Sequence, residues 1–208
     1  MNDVILGVDI GGTHIKAAPV DTTAGEAVCP HELLPTPQPG TPDQIVRCIV
    51  ELSDHFGWGG PFGIGFPGVV QHGVIRTAAH VSGAWVGVDL EDTVSEEFRA
   101  PITVVNDADA AGMAELTFGA GYGHRGVVIV VTLGTGVGSA VFVDGTLLPN
   151  TELGHLRLRG RDLEARVAAR AHNGTDGKSW KVWGHEVSAY LQSLEDLLWP
   201  DLFIIGGG

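Results

Sequence analysis

Several kinds of residue are scarce in this 208-residue sequence, and each scarcity excludes a class of protein. There are only two cysteines, Cys29 and Cys48, and neither belongs to a CxxC pair. We therefore expect neither a disulfide framework nor a four-thiolate metal site, and a reducing compartment fits. No apolar run approaches the ~20 residues that cross a bilayer, and Met1 lies too close to the first apolar strand for a signal peptide. A cytoplasmic protein without membrane contact is the expectation.

Cationic side chains are also few, with 12 Lys and Arg against 25 Asp and Glu and a net charge of -13. Phosphate backbones are held mainly by Lys and Arg, so we expect no nucleic-acid partner. Most of the cations are concentrated in one segment, which contains Arg157, Arg159, Arg161, Arg166, Arg170, Lys178 and Lys181. This segment is consistent with a groove for a polyanion, although a solvated helix face explains it at least as well.

Glycine, by contrast, is abundant, and it gathers at the ends of predicted strands. VILGVD predicts a buried strand, IGGT a tight turn and HIKAAPVD a returning strand. In this turn the amides of Gly11 and Gly12 and the Thr13 hydroxyl can hold phosphoryl oxygens, with Lys16 following. Asp9 can face a divalent cation or its waters. A plain hairpin with a capping aspartate explains the same letters.

A second glycine turn shows the same pattern of strand, turn and returning strand. GVVIVVTL predicts a strand, GTGVG a turn and SAVFVDGTLL a returning strand with a hairpin tip at Asp144-Gly145. A Rossmann motif would need a helix after its glycines, so phosphate contacts are expected instead from Gly134, Thr135, Gly136 and Gly138. The repetition predicts two duplicated lobes, which we place at residues 1–115 and 116–208. Together the two lobes could offer hydrogen-bond donors from two sides to a polyphosphate or a nucleotide.

A third motif lies where the strand PITVVND runs into the helical stretch DADAAGMAELTF. Asp107 can accept a proton from an attacking hydroxyl, and Asn106 can hydrogen-bond a neighbouring one. A helix cap formed by either residue is an equally good explanation.

The last part of the chain carries a fourth set of polar groups, Glu152, His155 and Glu164, which suit a polyhydroxylated ligand. Helices are predicted from about Thr41, which would cap the first of them, and over about 162–171 and 178–198. The chain ends on a strand and three glycines, PDLFIIGGG. Such a strand normally leads into further structure, so we expect a C-terminal truncation.

These motifs together resemble one known family. DIGGTHIK, GFPGVV, NDADAAG, LGTGVGSA, ELGH and FIIGGG occur in the order and approximate spacing of ROK-family sugar kinases. That family has the actin-like, Hsp70-like (ribonuclease H-like) α/β ATPase fold, with two duplicated lobes around a cleft. PTPQP, RTAA and LPNTELGHL resemble the polyphosphate glucokinase and glucomannokinase branch of the family.

The resemblance implies transfer of a phosphoryl group from polyphosphate or ATP to the 6-hydroxyl of glucose, with Mg²⁺ near Asp9 and a homodimer as the expected assembly. Asp107 would be the catalytic base. The sugar would be held by Asn106, Glu152, His155 and Glu164. The phosphoryl donor would be lined by Gly11, Gly12, Thr13, Gly134, Thr135 and Gly136.

Two departures from the family pattern matter. The segment between His155 and Glu164 has no cysteine, so no zinc site is expected. His80 stands where the RTAAN pattern has an asparagine that would contact the sugar, which leaves the preference for glucose open. A sugar-binding protein without turnover and a kinase for mannose or an N-acetylated hexosamine remain alternatives. A ROK repressor would need a DNA-binding module before the hairpin at Val4.

Overall fold

The computed structural model describes residues 4–158, 161–162, 164–169, 177 and 179–207. The chain divides into two compact units, with the division between Ala110 and Ala111. Each unit contains its own sheet and its own apolar core. No described helix is long and apolar enough to span a bilayer.

The first unit is built on a mixed sheet with the order β3-β2-β1-β5-β8, in which β4 also pairs with β2. Its strands are β1 (Val4–Ile10), β2 (His14–Asp21), β3 (Glu26–Ala27), β4 (Glu32–Pro35), β5 (Phe62–Phe66) and β8 (Ile102–Asn106), and a separate small hairpin consists of β6 (Val70–Gln71) and β7 (Val74–Ile75). β1 and β2 are antiparallel, as the glycine turn predicts, whereas β5 and β8 run parallel to β1. The carboxyl ends of β1, β5 and β8 therefore meet at one edge.

Three helices accompany this sheet: α1 (Pro42–His55), α2 (Leu90–Ser95) and α3 (Asp107–Phe118), the last of which continues across the division between the units. α1 begins as predicted, because Thr41 and Gln44 form a capping box and Pro42 occupies the first turn. It buries Ile45, Ile49 and other apolar side chains against the sheet core.

Trp85 is the largest fully buried side chain of the first unit. It lies in a short 3₁₀ helix, Gly83–Trp85, and its ring meets Phe66 edge-on at 5.3 Å between centroids. Its indole nitrogen donates to the carbonyl of Gly40 at 3.0 Å. Trp85 thus contacts both the loop that precedes α1 and the end of β5.

The second unit repeats the hairpin and the added parallel strand. β9 (Val127–Leu133) and β10 (Val137–Val143) are antiparallel, β11 (Thr146–Leu148) extends the hairpin, and β14 (Leu202–Gly206) lies parallel to β9. Asp144 and Gly145 form the predicted hairpin tip, both with positive φ. The sheet order is β11-β10-β9-β14.

The remaining elements differ in part from the sequence expectation. β12 (Arg157–Leu158) pairs with β13 (Arg161–Asp162), where the start of a helix was expected, and α4 (Glu164–Val167) is a single turn. α5 (Trp180–Leu198) is capped by Ser179 and agrees with the predicted last helix. Residues 170–176 and 178, which carry other parts of these predictions, lie outside the described residues.

We expect Trp85→Phe to destabilise the first unit by about 2 kcal/mol, because it leaves the Gly40 carbonyl without its indole donor and opens a small void. Urea unfolding followed by circular dichroism measures this. Trp199→Phe is the matched control: Trp199 is 80% exposed, so its substitution should change stability by less than ~0.5 kcal/mol. Equal effects of the two changes would contradict the packing role of Trp85.

Candidate active site

Asp9, Asn106 and Asp107 lie at the same edge of the first sheet because of its parallel strands. Asp9 near the end of β1 is in register with Gly65 of β5, which in turn pairs with Val105 of β8. A Cβ atom added to Gly65 would stand 3.5 Å from the Cα of Asp107. Gly65 therefore separates the two carboxylate-bearing segments without filling the space between them.

The first glycine turn is held by bonds that the sequence did not reveal. The Gly11 amide donates to the carbonyl of His14 at 3.0 Å, so it closes the turn, and the turn can present the amides of Gly12 and Thr13 to a ligand. Thr36 fastens the turn from outside: its hydroxyl donates to the Gly11 carbonyl at 2.6 Å and its amide to the Thr13 carbonyl at 2.9 Å. Thr36 is buried between two prolines, and that unusual setting is the sequence signal for it.

Asp9 is the residue of this turn that best suits a cation. Protein atoms around its carboxyl displace part of its hydration and raise its pKa, and the nearby charge of Lys16, its cross-strand neighbour, offsets this only in part. Asp9 is nevertheless exposed, and a carboxylate beside a predicted phosphate-binding turn suits Mg²⁺, which is typically held by one or two carboxylates, waters and substrate phosphates. Among the described residues, no three His, Cys, Asp or Glu side chains cluster as metal ligands.

Asn106 is the last residue of β8 and Asp107 the first of α3, and both side chains form hydrogen bonds. The Asn106 side chain accepts from the Asp109 amide at 2.9 Å, which caps the helix, and donates to the Gly68 carbonyl at 3.0 Å. Asp107 is half-buried and accepts from the Ala108 amide at 2.8 Å. The capping interpretation thus holds for Asn106, while Asp107 stands on the first turn, where the helix dipole favours a negative charge.

A loop at residues 77–80 touches two of the predicted motifs. A Cβ atom at Gly68 would lie 2.2 Å from the carbonyl oxygen of Thr77, and one at Gly12 would lie 2.5 Å from the Cβ of His80. His80 itself has φ 62 and is exposed. Its imidazole therefore begins directly against the first glycine turn, a proximity that sequence spacing did not indicate.

The second glycine turn follows the end of β9. The Gly134 amide donates to the Gly136 carbonyl at 3.0 Å, and Thr135 between them is exposed. Gly138 already belongs to β10, opposite Thr132. The sequence did not predict the role of Gly207: with φ +106 it packs on the backbone of Leu133, where a Cβ atom would lie 2.3 Å from the carbonyl oxygen. Gly207 therefore adjoins the strand end that leads into the second glycine turn.

Glu152 and His155 lie together beside β10. They flank the 3₁₀ turn Leu153–His155, and the His155 imidazole is 3.7 Å from the Glu152 carboxylate. Ser139, buried in β10, positions this segment, because its hydroxyl accepts from the Leu153 amide at 2.9 Å and donates to the Thr151 carbonyl. A serine among apolar strand residues was the available signal for this role.

The remaining predicted residues are Glu164 and the cations of the basic segment. Glu164 is half-buried at the start of α4. In the basic segment, Arg157 is exposed and Arg166 forms an ion pair with Glu186 of α5. Arg159, Arg170 and Lys178 lie outside the described residues.

A surface cavity of about 320 Å³ includes His124, Arg125 and Asp144 in its lining. It lies at the end of the β9–β10 hairpin opposite the second glycine turn, so it contains none of the predicted site residues.

Comparison with known proteins decides the family. The model of the ROK family matches residues 5–179. This chain belongs to the ROK family. It is 45% identical over 204 residues to a polyphosphate glucokinase of Mycobacterium tuberculosis (strain ATCC 25618 / H37Rv), covering 98% of this chain and 77% of that protein. The resemblance seen in the sequence motifs is thereby confirmed.

Solved structures agree with the family. The inorganic polyphosphate/ATP-glucomannokinase of Arthrobacter sp. strain KM superposes with a TM-score of 0.93 at 42% identity, covering 99% of this chain and 83% of that one. A ROK-family glucokinase of Streptomyces griseus, in complex with glucose and AMPPNP, gives a TM-score of 0.84 at 28% identity and the same coverage. The predicted actin-like α/β fold of ROK sugar kinases is confirmed.

Ser139→Ala should lower the stability of the second unit by about 2 kcal/mol, since it strands the Leu153 amide and the Thr151 carbonyl. For a ROK chain of this size that corresponds to a melting temperature lower by roughly 4–8 °C in differential scanning calorimetry. Ser188→Ala, at an exposed serine of α5 that only bonds its own helix, serves as the control and should leave the melting temperature nearly unchanged. Similar melting temperatures for both variants would exclude Ser139 as the anchor.

Proposed function

We propose that this ROK protein is a hexose kinase that transfers the terminal phosphoryl group of polyphosphate or ATP to the 6-hydroxyl of glucose. The observation that carries the proposal is the position of Asp107, on the first turn of α3 at the same sheet edge as the Asp9–Thr13 turn. The similarity to polyphosphate glucokinase and to glucomannokinase, over 98% and 99% of this chain, supports the substrate and the donors.

In the proposed reaction the Asp107 carboxylate accepts the proton of the sugar hydroxyl as that oxygen attacks the terminal phosphorus in line. A bond forms between the sugar oxygen and phosphorus, and the bond from phosphorus to the bridging oxygen of the donor breaks. The products are glucose 6-phosphate and either ADP or a polyphosphate one unit shorter. The Ala108 amide donates to the Asp107 carboxylate at 2.8 Å and helps to hold it at the start of α3.

Asn106 contributes by positioning. Its bonds to the Asp109 amide and the Gly68 carbonyl hold the start of α3 and the loop after β5 in a fixed relation. Its amide carries both donors and an acceptor, which is the chemistry that a sugar hydroxyl requires. Asn106 is therefore proposed both to orient the base and to contact the substrate.

The remaining sugar contacts are proposed for Glu152, His155 and Glu164 of the second unit. Glu152 and His155 form a carboxylate–imidazole pair that can accept from and donate to neighbouring hydroxyls. Because specific hydrogen bonds discriminate between hydroxyl arrangements far better than apolar contacts do, these residues would set the hexose preference.

Phosphoryl oxygens of the donor would be bound by the glycine turns, in particular by the amides of Gly12 and Thr13 and by the turn at Gly134, Thr135 and Gly136. Mg²⁺, held at Asp9 directly or through water, would offset the charge that develops on the transferred group. Lys16, the cross-strand neighbour of Asp9, is exposed and adds a further positive charge to this turn.

Asp107→Asn should lower kcat by about 10²–10⁴-fold, because the amide cannot accept the hydroxyl proton, while glucose still binds. A coupled assay for glucose 6-phosphate measures turnover, and calorimetric titration measures glucose binding. The matched control is Asp43→Asn, which changes an exposed acidic residue in the first turn of α1 and should leave kcat as it is. A near-normal kcat for Asp107→Asn would remove Asp107 from the role of base.

Part of the basic segment is proposed to guide long polyphosphate on an otherwise acidic protein. Arg157 is one candidate among its described cations, because it is exposed, as Lys181 is, whereas Arg166 is engaged with Glu186. ATP is shorter and would depend on this segment less.

Arg157→Glu should raise KM for long polyphosphate several-fold at low salt and leave KM for ATP nearly constant. Arg47→Glu is the matched control: it makes the same change in net charge at an exposed position of α1. Steady-state kinetics at two ionic strengths test this. An unchanged KM for polyphosphate, or an equal change for both variants, would refute the groove.

Mannose is a second candidate substrate. The favouring observation is the TM-score of 0.93 to a glucomannokinase. The same coupled assay with mannose in place of glucose measures the preference directly.

A further inference from the structure

His80 packs so close to Gly12 that no side chain fits at position 12 without displacing it. A Cβ atom on Gly12 would lie 2.5 Å from the Cβ of His80 and 3.4 Å from its Cγ. The first atoms of the His80 side chain therefore occupy the place that a side chain at position 12 would need. Glycine is required at position 12 because His80 is there.

His80 is held in this place by its own loop. The Ala79 amide donates to the Pro67 carbonyl at 2.8 Å, and the Ser82 amide donates to the Gly40 carbonyl at 3.3 Å. On either side of His80 the backbone is thus attached to fixed parts of the first unit. The exposed imidazole is consequently presented at the glycine turn by an anchored loop.

A phosphoryl group bound by the amides of Gly12 and Thr13 would have its oxygens about 3 Å from those nitrogens. The Cβ of His80 packs on Gly12, so rotation of the side chain can bring its imidazole to the same group. Its N–H can donate to a phosphoryl oxygen whether the ring is neutral or protonated. The family resemblance assigns position 80 to the sugar, whereas in this chain the His80 side chain begins against the turn at which the phosphoryl donor is proposed to bind.

We propose that His80 binds the terminal phosphoryl group of the donor, as a binding residue of the first glycine turn, an inference that rests on the proposed kinase function. The ligand chemistry is a terminal phosphate, which ATP and inorganic polyphosphate share. His80 adds a side-chain donor to a turn whose Gly11 amide is committed to His14. The His80 side chain would thus supply a hydrogen bond to the phosphate that the Gly11 amide, bonded to His14, does not supply.

His80→Asn is the informative variant, because asparagine tolerates the left-handed backbone of His80 and restores the residue of the family pattern. His80→Gly, which suits the same backbone and removes the side chain, is the second variant. The matched control is His72→Asn. His72 is also exposed with a left-handed backbone, φ 53, but it lies at the tip of the β6–β7 hairpin.

Two measurements are made on the full chain: KM for glucose, ATP and long polyphosphate, and the Kd of inorganic tripolyphosphate by calorimetric titration without sugar. For both His80 variants we expect KM for at least one donor and the Kd of tripolyphosphate to rise about tenfold, the usual effect of losing a hydrogen bond to a charged group. KM for glucose should stay within twofold, and His72→Asn should match the wild type. The two donors separate the sources: a rise for both places His80 on the shared phosphate.

A rise in KM for glucose with unchanged donor constants would overturn the proposal and return His80 to the sugar. Unchanged constants throughout, or a wild-type chain that does not bind tripolyphosphate, would overturn it as well. If tripolyphosphate binds and the His80 variants weaken it, but no glucose 6-phosphate forms, the kinase function fails while the assignment of His80 stands.

Discussion

The parallel pairing of β1, β5 and β8 is the constraint on which the proposed chemistry depends. Parallel strands end at the same edge of a sheet, so the polar residues that follow them are collected there regardless of their separation in the sequence. Asp9 and Asp107 are almost a hundred residues apart, yet both adjoin Gly65 of the central strand. A one-residue slip of β8 would turn the Asn106 side chain away from the Gly68 carbonyl. The register of β8 therefore also fixes how the start of α3 is attached to the loop after β5.

Several glycines in this structure are needed because a neighbouring segment packs where their side chain would be. Gly12, Gly68 and Gly207 each lie where a Cβ atom would overlap a neighbouring residue by a large margin. The neighbours are His80 and Thr77 of one loop and Leu133 at the end of β9. Only Gly207 among these three has a positive φ, so close approach is the more general requirement. The high glycine content of the sequence thus reflects backbone segments packed directly on one another at the ends of strands.

Much of the fold could be predicted from the sequence, because its long strands and helices carry strong local patterns. The cap at Thr41 and the hairpin tip at Asp144-Gly145 were predicted for that reason. The two-residue strands and the start of α4 were not predicted, because so short a segment cannot show a periodic pattern of apolar residues. Candidate site residues were recognisable by chemical type, but their supports Thr36 and Ser139 act through tertiary hydrogen bonds, which spacing along the chain does not encode.

Because of the contact between Gly12 and His80, position 12 tolerates fewer substitutions than position 80. Any larger residue at position 12 has to displace an anchored loop, so variants there are purged for folding before they are tested for function. Position 80 is exposed and can change without moving the turn, within the residues that accept a left-handed backbone. Related chains should therefore differ from one another at position 80 and keep glycine at position 12. A mutant library aimed at new substrates would be best diversified at the histidine.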